Sequence, residues 1–124
     1  MTTVFPTLKY DDAPAAIEFL TTALGFEKHA VHEDDDGKVA HAELRHGDGM
    51  VMLGDRRGES DRYDTGRAVV YVVVEDPDAL HERAKAAGAQ IVTEPSDQDY
   101  GSRDFAAADP EGNVFSFGTY NPTG

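Results

Sequence analysis

Three punctuation residues recur at one spacing: Pro14 and Pro77, Gly25 and Gly88, and Gly49 and Gly112 each stand 63 positions apart in a chain of 124. A shared offset near half the length points to an internal duplication, one domain (residues 1–124) built from two copies of a unit. The flanking text agrees. Pro14-Ala15-Ala16-Ile17 opens a helical stretch that closes on Ala23-Leu24-Gly25, and Pro77-Asp78-Ala79-Leu80 opens one that closes on Ala86-Ala87-Gly88. A copy of roughly 60 residues buries only about 60% of its unfolded surface and is marginal alone, so the two halves need each other. Paired α+β units leave a concave surface where their sheets meet, and that surface is the expected functional site.

Within the first copy (about 1–54), residues 4–10 read as a strand, Asp11-Asp12 offers a helix N-cap, and Pro14 fits the first helical turn, where its missing N–H costs nothing. Ile17, Leu20 and Leu24 recur at helical spacing and Gly25 stops the helix. Phe26–Glu33 and Lys38–His46 flank Asp34-Asp35-Asp36-Gly37, whose Asp-Gly end signals a hairpin, and Met50–Gly54 completes the unit. Residues 55–67 are charged, contain glycine and lack periodicity, which marks a connector. In the second copy (about 68–120), the β-branched and aromatic run Ala68–Val74 reads as a strand covered on both faces. A helix from Pro77 to Gly88 should bury Leu80, Ala84 and Ala87, leaving His81 in solvent. Ala89–Val92, Arg103–Ala108 and Val114–Thr119 follow as strands, with Glu94–Gly101 as a polar loop.

Charge and composition narrow the function classes. A net charge of −13 repels phosphate backbones and anionic lipid, which argues against nucleic-acid and membrane partners. No apolar run of membrane-spanning length or secretory leader is legible at the start, so a cytoplasmic location is expected. With zero cysteines, disulfides, thiol nucleophiles and thiolate metal sites are excluded. Neither a phosphate-binding glycine loop nor a Ser-His-Asp order is present.

The opening strand and helix through Phe19 and Leu24-Gly25-Phe26, the stretch His41-Ala42-Glu43-Leu44-Arg45, and Asp109-Pro110-Glu111-Gly112-Asn113 together resemble the vicinal oxygen chelate superfamily. That superfamily includes glyoxalase I, extradiol dioxygenases, epimerases and bleomycin- or fosfomycin-resistance proteins. The resemblance spans nearly the whole chain and implies an α+β fold of two tandem βαβββ modules forming a curved, cup-like mixed sheet, commonly in a homodimer. In metal-dependent members the four ligands come from the first strand and a later strand of each module. Carried over without gaps, these positions fall on Phe5, Glu43, Val69 and Ser116, of which only Glu43 is a ligand type, so no metal and no other cofactor is expected.

On a strand, His41, Glu43 and Arg45 share one face while Ala42 and Leu44 take the other, which turns the polar three into the cup. Glu43 with His41 reads as a satisfied polar cluster, as a general base, or as part of an unusual metal site. Tyr71 shares parity with Val69 and either stacks on a ligand or packs in the core. Tyr100 lies in a loop beside the expected mouth; Arg103 either clamps an anion or pairs with Asp104 or Asp109. His29, His32 and His46 receive no role. The expected function is therefore small-molecule binding of the glyoxalase or bleomycin-resistance type, suited to a drug-like or cationic ligand. The alternative is a glyoxalase-like lyase or isomerase centred on Glu43.

Overall fold

The computed structural model describes residues 2–58 and 61–124; residues 59–60 of the connector lie outside the described residues. The chain runs β1 (Thr7–Tyr10), α1 (Ala13–Ala23), β2 (Glu27–Glu33), β3 (Val39–His46), β4 (Gly49–Asp55), β5 (Val69–Val73), α2 (Pro77–Ala86), β6 (Gln90–Asp97), β7 (Arg103–Ala108) and β8 (Val114–Gly118). Two four-stranded mixed sheets result, ordered β1-β4-β3-β2 and β5-β8-β7-β6. In each, the first strand pairs parallel to the last and the other pairings are antiparallel. The α+β tandem-module expectation holds.

The duplication is real, although two of its three sequence anchors are not structural equivalents. Asp12 and Asp76 cap the two helices with nearly the same backbone angles (φ −134°, ψ 82° and φ −131°, ψ 81°), each accepting from the N–H three residues on. These caps stand 64 apart (76−12), whereas Gly25 and Gly88, both left-handed at the helix ends, stand 63 apart (88−25). The second helix is one residue shorter, 10 against 11, so Pro14 and Pro77 occupy successive rather than matching helical positions. Gly49 opens β4 opposite His46, while Gly112 bends the turn before β8 with φ 89°.

A single core lies on the helix side of both sheets. Leu20, Leu24, Leu44 and Leu53 from the first module and Phe105, Phe115 and Phe117 from the second are all 0–1% exposed. Each such side chain contributes roughly 1.5–3 kcal/mol by leaving water. The modules meet through Phe26 edge-on to Phe115 (5.7 Å between centroids) and His46 beside Phe117 (6.0 Å). Arg83 of α2 adds hydrogen bonds to the carbonyls of Thr21 and Thr22 at the end of α1. Buried Tyr10 donates to Asp109 Oδ2 at 2.6 Å, tying β1 to the turn before β8. Asp109 also accepts from Glu111 N, Asn113 N and Asn113 Nδ2, so this buried carboxylate has all four of its acceptor positions used.

Three expectations change. The strand β5 is covered on one face only: Val72 is 9% exposed, but Val69 is 75% and Val73 43% exposed. Its apolar run therefore leaves a hydrophobic face uncovered within one chain. In α2, Leu80 is half-buried and Ala87 exposed; His81, 6% exposed, is buried instead, edge-on to Phe105. Its Nε2 lies 2.8 Å from Glu94 Oε1 in a geometry too bent for a hydrogen bond, so that contact is an ion pair only when His81 is protonated. Lastly, β6 continues through Glu94 and Pro95 to Asp97, where the composition predicts a loop. As the edge strand of its sheet, irregular between Thr93 and Ser96, it tolerates a proline that lacks a donor.

Candidate functional site

Alternation on β3 sends Ala42 and Leu44 into the core and His41, Glu43 and Arg45 to the opposite face, as the spacing requires. There His41 Nε2–H donates to Glu43 Oε2 at 2.9 Å. The hairpin then supplies neighbours to which the sequence alone assigns no role. The pairing of β2 with β3 puts His32 opposite His41, their rings stacked at 6.2 Å, and a register shift between Lys28 and Ala30 brings His29 onto the same face. Arg45 Nη2 donates to His29 Nδ1 at 2.9 Å, which leaves the proton on His29 Nε2, 3.8 Å from Glu43 Oε1. The Asp34–Gly37 turn sets Glu33 opposite Val39, but a second register shift between His32 and Glu33 then moves His32 from the Ala40 position that counting outward gives to the one opposite His41. The hydrogen bond from His41, with the nearby His29 and His32, holds the Glu43 carboxyl below its usual range.

The first-module face extends through Met52, opposite Glu43 on β4, to Thr7 on β1, with Phe5 39% exposed just ahead of that strand. The matching row of the second module is Tyr71 on β5, Ser116 on β8 and Ala106 on β7. Counted at the offset of the helix caps, 64, Thr7 corresponds to Tyr71, Met52 to Ser116, and Phe5 to Val69. Glu43 lies on the third strand of its module and Ser116 on the fourth of the other, so they are not counterparts; Met52 is. An ungapped alignment lands on Glu43 because it has no strand assignment to count from.

Near the end of the second-module face, Tyr71, Tyr100, Ser102, Asp104 and Tyr120 gather over Gly118. Tyr100 donates to Asp104 Oδ2 at 2.8 Å and Ser102 donates to Oδ1. Tyr71 donates to the Tyr120 carbonyl at 2.8 Å, and the rings of Tyr100 and Tyr120 meet edge-on at 5.8 Å. Hydrogen bonding to Asp104 pushes the Tyr100 phenol up, and partial burial does the same to Tyr71. Arg103 is not part of this group. As the next residue along β7 it projects to the other side, where it binds Asp78 through two hydrogen bonds (2.8 and 3.0 Å) and Asp97 at 3.2 Å. Pairing with acids holds, but the partners are on α2 and β6 rather than Asp104 or Asp109.

Among the described residues both faces are partly exposed, with Phe5 and Tyr71 each 39% exposed. Cavities of about 320 and 370 Å³ lie elsewhere, one between Gly25, His46 and Arg83, the other between Arg56, Arg67 and Glu111. The polar row around Glu43 and the aromatic row around Tyr71 thus lie on open faces of the sheets, on the sides turned away from the shared core.

A fold of two tandem βαβββ modules with open faces of this kind defines a glyoxalase-like protein. The chain belongs to the Glyoxalase/Bleomycin resistance protein/Dioxygenase superfamily, whose model matches residues 5–117. It is 36% identical over 121 residues to an uncharacterised protein of Mycobacterium bovis, covering 91% of this chain and 80% of the relative. Among solved structures it resembles TioX from Micromonospora sp. ML1, with a TM-score of 0.83 and 28% identity over 98% of this chain and 100% of the other. A glyoxalase/bleomycin resistance protein from Streptomyces sp. CB03234 shares the fold, with a TM-score of 0.73 at 17% identity over 94% and 98% of the two chains.

Proposed function

We propose that this chain is a cytoplasmic small-molecule-binding protein that works as a homodimer without the superfamily's catalytic metal. Its pocket closes when the second-module face of one copy lies over the first-module face of the other. One observation carries the metal-free reading: the equivalent positions of the two modules hold Phe5, Met52, Val69 and Ser116, and a catalytic divalent ion needs about three protein ligands. The dimer is supported by Val69 and Val73, 75% and 43% exposed on a continuous strand face that a second copy would cover. A charge of −13 favours a cationic ligand. No helix among the described residues is long and apolar enough to cross a membrane.

The competing reading, a lyase or isomerase with Glu43 as base, is weakened by its surroundings. A general base works best when its pKa approaches the working pH, and donors around Glu43 move it the other way. Light scattering and a thermal-shift screen of cationic, drug-like compounds test the proposal. The wild-type chain should be a dimer stabilised by some of these compounds, and Val69→Glu should yield a folded monomer that responds to none. A wild-type monomer, or turnover that requires added metal and is abolished by Glu43→Gln, would overturn it.

A further inference from the structure

The cluster over Gly118 has a property that structural packing does not require. Asp104 is a half-buried carboxylate with no cation within ion-pair distance among the described residues, because Arg103 beside it is committed to Asp78 and Asp97. Tyr71, Tyr100 and Tyr120 surround it and are 39%, 60% and 51% exposed, which is unusual company for a carboxylate. Their positions are fixed rather than free: Tyr100 and Ser102 donate to the two carboxylate oxygens, Ser102 Oγ accepts from Tyr120 N, and Tyr71 is held by the Tyr120 carbonyl. The floor is glycine for a steric reason. A Cβ at Gly118 would overlap the Asp104 carboxylate and come within 2.6 Å of the Tyr71 hydroxyl.

We propose that Tyr71, Tyr100, Tyr120 and Asp104 form a subsite for an alkylated ammonium group. This deepens the small-molecule reading above and rests on it. Aromatic faces attract cations through the ring quadrupole, most strongly when the cation is poorly hydrated. Each Asp104 oxygen already accepts one hydrogen bond, so about two of the carboxylate's four acceptor positions stay open, fewer than the three donors of a primary ammonium. That arrangement suits a tertiary or quaternary ammonium, which is weakly hydrated and brings at most one donor, over a primary amine, which needs three acceptors.

The test titrates the untagged protein with choline and with its neutral isostere 3,3-dimethylbutan-1-ol. Tyrosine emission and amide NMR shifts report binding, since the chain has five tyrosines and no tryptophan. Choline is expected to saturate with shifts centred on Tyr100 and Tyr120, and the isostere to bind at least about tenfold more weakly. Asp104→Asn should weaken choline roughly tenfold. Tyr120→Leu, at an exposed ring, should do the same and stands in if Asp104→Asn fails to fold. Equal affinity for both probes, no saturable choline binding, or indifference to both substitutions would overturn the subsite. Neutral compounds that shift His41 and Glu43 while choline does nothing would remove this subsite but keep the pocket. A chain that binds neither class would remove both.

Discussion

Replacing Tyr10 by Phe isolates a single bond between the modules. The ring is 0% exposed and Phe retains it, so the apolar contribution is unchanged and only the hydroxyl is lost. That hydroxyl donates to Asp109 Oδ2 at 2.6 Å across 99 residues. A hydrogen bond to a charged acceptor contributes about 1.5–3 kcal/mol. Asp109 keeps its three other donors, which places the loss near the middle of that range, about 2 kcal/mol. Against a total of about 5–15 kcal/mol this is a large change. Urea unfolding should show a lower midpoint with an unchanged slope, and the melting temperature should fall by roughly 5–10 °C. Alkaline behaviour gives a second readout. Burial, with Asp109 as hydrogen-bond partner, raises the Tyr10 phenol far above its ordinary value. The unfolded chain then releases this proton first, so the stabilisation is complete below about pH 10 and falls as pH climbs past it. Tyr10→Phe should lack that part of the alkaline loss. A stability change below about 0.5 kcal/mol, or two separate transitions in the wild type, would refute the claim that this bond joins two interdependent halves.

Other consequences follow from the same contacts. Burial lowers the His46 pKa against its hydrogen bond to the Leu24 carbonyl, so the stability it confers is present above about pH 6.5 and declines as pH falls below it. Denaturation midpoints between pH 7 and 5 should therefore drop less in His46→Gln than in the wild type. Asp12→Ala and Asp76→Ala each remove one N-cap and should each cost about 1 kcal/mol in urea unfolding, near-equal effects that follow from their matching geometry. Unequal losses differing by more than about 1 kcal/mol would show that the caps are not equivalent. Gly118→Ala should displace Asp104 and abolish choline-dependent quenching while leaving the dimer intact; retained quenching would contradict the steric role assigned to this glycine.

Local rules account for much of the fold. The Asp caps, the helix-ending glycines, the hairpin turn and the alternation of His41, Glu43 and Arg45 each depend on residues within a few positions of one another, and all are legible in the sequence itself. So is the tandem-module fold, because a repeat needs only self-comparison. Whatever depends on which strand lies beside which is decided by the tertiary structure. A register shift in β2 brings His29 to Glu43, and a helix one residue shorter changes the offset between modules from 63 to 64 at the caps. At the offset of 64 the counterpart of Ser116 is Met52, on the fourth strand of its module like Ser116, whereas Glu43 lies on the third strand, 73 positions from Ser116 (116−43), and falls outside the equivalent set. Arg103 shows the limit most plainly: adjacent to Asp104 in sequence, it faces away from it on a pleated strand and finds its charge partner 25 residues back on α2. Similarly, the run Ala68–Val74 reads as covered on both faces from its composition, yet only the tertiary arrangement decides that one face of the strand Val69–Val73 meets the core and the other stays open.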